Sequence, residues 1–312
     1  MKNNTVITAG DMNYVWGIAM LVASMRKSGM DEPVIVGGKN LSKDAVEMLE
    51  RLGGVRVISV DTARSLTCMK PEIMLAADTD YITWVDGDGF FTGNCSSRLI
   101  PERPDEIHIR KRTSRENPLA FRNFNFGEDG YTIPRPILEA WRRDCGSPSA
   151  RPRILQSCSA CFLSVHKSAR PFLCDWRDRM NALLPNDNIG VVDTRLKFYH
   201  QLDESVLNSL LCFGKNAPKV ALQYRLDKDE DELFVHFVGV PKPWQAWTPQ
   251  SVGHIDKYTQ VADFAKSAGW FDSERLPFAL DSRHKLLCRL AAVPTALKTK
   301  ISNRLVKLAR KF

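Results

Sequence analysis

The chain has 312 residues, 44% hydrophobic and 26% charged, with a formal net charge of +8. That length and balance fit a soluble enzyme built from one large α/β domain or two small ones and exclude a chain too short or too polar to bury a core. Nine Lys or Arg residues and no acid follow Asp281, so the basic character belongs to one tail and the body is close to neutral.

Met1 to Asn4 run directly into the strand-like Thr5-Val6-Ile7, so no leader peptide is expected. No apolar run reaches the roughly 18 residues of a membrane-spanning helix. The cysteines at 68, 95, 145, 158, 161, 174, 212 and 288 are scattered rather than framed. They read as reduced and mostly buried thiols.

Strand and helix alternate through the first half. Thr5–Ala9 reads as a strand and Val15–Lys27 as a helix. Pro33–Gly38 is a strand ending in glycines, Leu41–Leu52 a helix opening at Ser42, and Val55–Val60 another strand. A helix over Pro71–Ala77 leads to the strand Tyr81-Ile82-Thr83-Trp84-Val85. Such repetition with short connections implies a parallel sheet with right-handed crossovers. The first strand is followed by Ala9-Gly10-Asp11-Met12-Asn13-Tyr14, which lacks the glycine pattern of a dinucleotide-binding turn.

The Tyr81 strand ends in Asp86-Gly87-Asp88. Ligands of open α/β sheets sit beyond the carboxyl ends of strands. Two carboxylates two residues apart on an extended segment face the same way, and oxygen ligands of this kind suit magnesium or manganese. The second half is less regular. Glu106–Lys111 reads as a strand and Glu116–Pro136 as a flap or acceptor loop rich in aromatic residues, Gly and Pro. Arg153–Val165 is strand-like, Arg170–Leu184 and Asp203–Phe213 are helical, and Leu233–Val238 is a strand.

That last strand opens Phe234-Val235-His236-Phe237-Val238-Gly239-Val240-Pro241-Lys242-Pro243-Trp244. A neutral imidazole can ligate a divalent metal, glycine lets backbone approach a phosphate, and lysine supplies charge to its oxygens. With both motifs in hand, the chain resembles the family 8 glycosyltransferases of the GT-A fold, in particular bacterial lipooligosaccharide and lipopolysaccharide galactosyl- or glucosyltransferases. That family pairs an Asp-x-Asp with a later His-x-x-Gly-x-x-Lys-Pro-Trp. The resemblance implies that Asp86, Asp88 and His236 hold a manganese or magnesium ion. It also implies that Gly239 and Lys242 contact the diphosphate of a UDP-sugar. Asp11, Asn13 and Tyr14 match the family's Asp-x-Asn-Tyr turn, which implies uridine recognition with Tyr14 stacked on the base. On the donor side the resemblance further places Ala9, Lys70, Asp86, Gly87 and Ser159. As plain chemistry, Asp11 or Asn13 could instead cap the helix that comes next, and Lys70 could be a solvated lysine.

Asp203-Glu204-Ser205-Val206-Leu207-Asn208 resembles the family's Asp-Gln-Asp-x-Leu-Asn helix start beside the donor sugar, with Glu204 and Ser205 as departures. Asp203 and Glu204 are therefore the candidate catalytic pair. A carboxylate at 204 could attack the sugar or bond its hydroxyls, and the latter is preferred because an acidic pair opening a helix is ordinary. Ser159-Ala160-Cys161 stands in place of the family's Asn-Ala-Gly. Cys158 and Cys161 have no second pair at zinc spacing and read as core.

Leu297, Ile301, Leu305, Leu308 and Phe312 form one apolar stripe among Lys298, Lys300, Arg304, Lys307, Arg310 and Lys311. Such a helix suits an anionic membrane surface. Nucleic acid is not expected, because no aromatic platform accompanies the charge. The organisation expected is an α/β GT-A domain with a mostly parallel central sheet over 1–265 and a basic amphipathic helical tail over 266–312. Residues 282–312 are expected to meet the membrane. The expected function is metal-dependent, retaining transfer of galactose or glucose from a UDP-sugar to a lipid-linked saccharide. The expected place is the cytoplasm, peripherally on the inner face of the membrane. A self-glucosylating initiator of the same family and a donor- or membrane-binding module without chemistry are the competing readings.

Overall fold

The structure is a computed structural model that describes residues 3–112, 121, 132–147, 149–183, 196–224, 233–272 and 275–293. The Glu116–Pro136 loop, apart from Phe121 and residues 132–136, and the apolar stripe of the tail lie outside the described residues.

Strands β1 (Asn4–Gly10), β2 (Val34–Gly38), β3 (Val55–Ser59) and β4 (Tyr81–Val85) alternate with helices α1 (Val15–Lys27), α2 (Lys43–Glu50) and α3 (Lys70–Met74). Ser42 caps α2 through its hydroxyl, which accepts from the Ala45 N–H at 3.2 Å. Then come β5 (Gly89–Phe91), α4 (Ser96–Leu99), β6 (Glu106–Lys111), α5 (Arg135–Asp144), β7 (Cys158–His166) and α6 (Arg170–Leu183). The remaining elements are α7 (Leu202–Phe213), β8 (Lys219–Tyr224), β9 (Phe234–His236) and α8 (Ile255–Ser267).

Seven strands form one sheet in the order β3-β2-β1-β4-β7-β6-β8, parallel except where β7 pairs antiparallel with β4 and β6. β5 and β9 make a separate two-stranded sheet, with Gly89 opposite His236. The fold is thus the mixed α/β class with a mostly parallel central sheet that the strand-helix alternation implies.

Side chains alternate across the sheet with period two. Val6, Val34, Val36 and Val85 face one core with α1 and α8, while Ile7, Ile35, Ile82 and Trp84 face the other with α3, α5, α6 and α7. Helix α1 is buried almost all round because the sheet, the β5–β9 ribbon and α8 cover it. Ser24 Oγ on α1 accepts from the Phe91 N–H at 2.8 Å and pins the ribbon to the helix. Gly17 is required here. A Cβ on it would collide with the Trp244 ring and lie 2.5 Å from the Gly87 carbonyl oxygen. Gly17→Ala is therefore expected to cost about 1–3 kcal/mol, read as a fall in Tm as Trp244 moves. An unchanged Tm would show that the ring is free to retreat.

Three expected boundaries shift. Arg153–Ser157 is not strand: β7 begins at Cys158, and Arg153 donates to the Leu211 and Leu210 carbonyls at 3.1 and 3.0 Å and to that of Gly214. It thereby adds donors to the carbonyls at the end of α7, of which that of Leu210 also accepts the Gly214 N–H at 2.6 Å. The Leu233–Val238 strand shortens to three residues, ending where the chain turns toward Gly239. The Pro71–Ala77 helix is α3, which starts at Lys70 and stops at Met74. All eight cysteines are unpaired, and Cys158 and Cys161 are buried on β7.

Beyond α8 the chain returns to the body. Residues 285–293 are helical, and Leu280, Cys288 and Ala292 are buried in the α1–α8 core. In this described part of the basic tail, Arg283 pairs with Asp281, and Lys285 and Arg289 pair with Asp256.

Candidate active site

A cavity of about 480 Å³ opens over the carboxyl ends of β1, β2 and β4. Its walls include Ala9, Asp11, Tyr14, Lys70, Asp86, Gly87, Asp88, Ser159, Asp203, Glu204, His236, Gly239 and Lys242. Residues from six separate stretches of sequence thus converge, and of the expected site residues only Asn13 is not in the wall.

Asn13 serves the turn instead. Its backbone N–H and side-chain amide donate to the two Asp11 oxygens at 2.9 and 3.3 Å. Its carbonyl accepts from Trp244 Nε1 at 2.8 Å. Neither Asp11 nor Asn13 caps α1, whose first turn has no side-chain cap. Tyr14 meets Trp244 edge-on at 5.8 Å, with the Lys242 ammonium 5.8 Å from its ring centre. Burial first, then Asp88, Asp86 and Asp11, push its phenol up to about 12.

Asp86, Asp88 and His236 each offer one ligand atom, and these lie within 4.8 Å of one another. His236 Nε2 is 3.0 Å from Asp88 Oδ1 and 3.9 Å from Asp86 Oδ2. Apart from that 3.0 Å contact with His236, buried Asp88 Oδ1 has no hydrogen-bond partner among the described residues. A buried carboxylate oxygen left this way is costly unless a cation takes it. Two hard oxygens and one imidazole suit manganese or magnesium, so the residues present fit a divalent ion. Burial would raise the Asp88 carboxyl, but His236 and Lys242 outweigh it and hold it far below the usual range. Burial would lower His236, but Asp88 and then the Cys161 thiol raise it well above its ordinary value.

Each aspartate also has its own lysine. Lys242 Nζ donates to Asp88 Oδ2 at 2.6 Å and to the Phe237 carbonyl at 2.8 Å. Lys70 is not solvated: it is 3% exposed. Its Nζ lies 3.0 Å from Asp86 Oδ1 and 3.3 Å from Asp203 Oδ2 and donates to the Ala160 carbonyl at 3.1 Å. Burial alone would lower its pKa, but Asp86 and Asp203 reverse the shift and keep it charged. Asp86 Oδ1 further accepts from Trp84 Nε1 at 2.7 Å. Asp203, shut away from water and sharing its lysine with Asp86, is held above the usual carboxylate value.

The acidic pair on α7 does not cap the helix, since the cap position is Gln201. Glu204 Oε1 accepts from Ser159 Oγ at 2.8 Å and from the Ala160 N–H at 2.9 Å, and its other oxygen pairs with Arg112. Gly239 adopts φ +90 with open space where a Cβ would be, a backbone conformation that favours glycine.

The motif reading missed Lys39, Ser65, Thr67, Arg112 and Gln201, all in the cavity wall. Lys39 and Arg112 directly follow the carboxyl ends of β2 and β6, and β6 points the same way as β4. A cation just past such a strand end was the available signal.

No protein-family model matches the chain, and no curated protein matches it. Among solved structures it is similar to the apo form of the bifunctional glycosyltransferase WbbM, with TM-score 0.54 and 13% identity over 85% of this chain and 51% of that one. It is also similar to galactosyltransferase LgtC in complex with donor and acceptor sugar analogues, with TM-score 0.52 and 16% identity over 86% and 98%. A third is the apo-form glycosyltransferase GlyE of Streptococcus pneumoniae TIGR4, with TM-score 0.52 and 12% identity over 88% and 66%. The chain spans about half the length of WbbM. At these identities the likeness shows the fold, the GT-A arrangement of these glycosyltransferases.

Proposed function

We propose that the chain is a divalent-metal-dependent, retaining glycosyltransferase that moves galactose or glucose from a UDP-sugar onto a lipid-linked saccharide. The observation that carries this reading is the order of groups along the carboxyl edge of the sheet. Ser159 on β7 lies with Asp203 and Glu204 of α7 at one end, Asp86 and Asp88 at the end of β4, and Ala9, Asp11 and Tyr14 beyond them at β1. A sugar, a diphosphate and a nucleoside are joined in the same order, and strands about 4.8 Å apart give the matching span.

In this reading Asp86, Asp88 and His236 hold the ion, which supplies positive charge to a departing nucleoside diphosphate. Lys242 and the Gly239 backbone contact the phosphates, and Tyr14 packs against the base. Asp203 and Glu204 bind sugar hydroxyls. Each already faces a buried cation, which favours hydrogen bonding over nucleophilic attack. Retention and the UDP-hexose choice come from the family 8 resemblance. The test is hydrolysis of UDP-galactose and UDP-glucose without acceptor, with the released anomer identified. Turnover that requires MnCl2 and stops with EDTA is expected. No turnover of either donor, with the folded protein present, would overturn the reading.

The acceptor is proposed to be reached at the inner face of the cytoplasmic membrane through the tail, within a division at 1–265 and 266–312. Because Cys288 and Ala292 anchor the 285–293 helix to the body and the charges of Arg283, Lys285 and Arg289 are paired, attraction of charge to anionic lipid falls to the six Lys and Arg residues of 294–312. Truncation after Val293 is therefore expected to lower binding to phosphatidylserine vesicles by at least about tenfold while sparing donor hydrolysis. Undiminished sedimentation with the vesicles would refute the tail assignment.

A further inference from the structure

We infer that Lys39 selects the nucleobase in this cavity, reading with Asp11 an edge that carries a carbonyl oxygen beside an N–H, the edge of uracil or guanine. The inference rests on the nucleotide-sugar reading and adds to it a residue outside both motifs.

Among the basic side chains of the cavity wall, Lys70, Arg112 and Lys242 each face a carboxylate. Lys39 does not. Its Nζ donates one hydrogen bond, to the Arg64 carbonyl at 3.0 Å, and no carboxylate among the described residues pairs with it. An ammonium has three N–H groups, so two remain for a ligand. Lys39 is thus a cation of the cavity not already committed to an acid.

Its place in the sheet says what that ligand group is. Lys39 follows β2, which is separated from β4 by β1, so its backbone stands about 10 Å from the strand end that carries the metal cluster. That sets it toward β3, on the side of the cluster opposite the sugar-facing Ser159 and Glu204. The Lys39 N–H donates to the Gly10 carbonyl at 3.0 Å, which puts Lys39 beside the turn bearing Asp11. The Asp11 carboxylate accepts from Asn13 and keeps lone pairs toward the cavity.

Lys39 can only donate and an ionised Asp11 can only accept. Uracil offers an acceptor at O4 and a donor at N3, the complementary pair. Cytosine presents an amino donor at C4 and an acceptor at N3, so both contacts reverse. Guanine repeats the uracil pattern at O6 and N1, and adenine the cytosine pattern.

The test is calorimetric titration of the full chain with UDP, CDP and pyrophosphate in MnCl2. Wild-type protein is expected to bind UDP at least about tenfold more tightly than CDP, the size of one charge-assisted hydrogen bond. Lys39→Met is expected to bring that ratio close to one with pyrophosphate affinity unchanged, and Lys39→Arg to keep most of the preference. An unchanged UDP-to-CDP ratio in Lys39→Met overturns the inference. So does an equal loss for pyrophosphate, which would make Lys39 a phosphate ligand. Failure of wild-type protein to bind UDP or pyrophosphate at all overturns the nucleotide-sugar reading itself.

Discussion

Wild-type protein is expected to rise in Tm with MnCl2, and Asp88→Asn to abolish that rise and to lower donor turnover by at least about a hundredfold. Asp88 is the most buried of the three candidate ligands, and its Oδ1 has no partner but His236 among the described residues. An asparagine keeps the shape and removes the charge, leaving one carboxylate and one imidazole for the ion. The change also strips Lys242 of its carboxylate partner at Oδ2, so the variant starts from a lower stability of its own. The measurement is therefore the metal-dependent increment in Tm, compared with and without EDTA, rather than Tm itself. An increment equal to the wild type's would mean that the ion, if bound, sits elsewhere.

Much of the Asp86–Asp88–His236 cluster is legible in the sequence because its parts announce themselves by position. Tyr81–Val85 is an apolar β-branched and aromatic run, and residues just past the end of such a strand lie at the ligand-binding edge. His236 required a motif, since nothing local ties it to a strand so far upstream. Of the ribbon that joins them, β9 is legible as the core of the Leu233–Val238 strand, whereas β5 has three residues, too few for periodicity to register. Arg153 reads as part of a strand, and only the α7 carbonyls brought beside it by folding explain why it is not. The same limit hid Arg112 and the burial of Lys70. Lysine and arginine are mostly exposed by habit, so a sequence gives no reason to bury Lys70 or Arg112 until Asp203 and Glu204 arrive on α7 to meet them.

Lys70→Met is expected to lower stability by about 3–5 kcal/mol, the range for removing one partner of a buried ion pair. Lys70 is the shared cation of Asp86 and Asp203, enclosed with Trp84, whose ring centre lies 5.5 Å from its Nζ. Methionine fills similar volume, so the loss is electrostatic rather than a cavity. Without the lysine, buried Asp203 faces Asp86 with no cation between them, and its pKa, already raised by burial, rises further. A carboxyl whose folded pKa exceeds its unfolded pKa of about 4 holds its proton more tightly in the folded state, so stability falls as pH climbs between the two values. The deficit of Lys70→Met against wild type is therefore expected to be larger at about pH 8 than at about pH 5. Adding Asp203→Asn removes one of the two like charges and is expected to recover part of the loss at the higher pH. Urea unfolding of wild type, the single variant and the double variant at both pH values measures each contribution. Equal deficits at the two pH values, with no recovery in the double variant, would show that Lys70 holds the site by packing and not by charge.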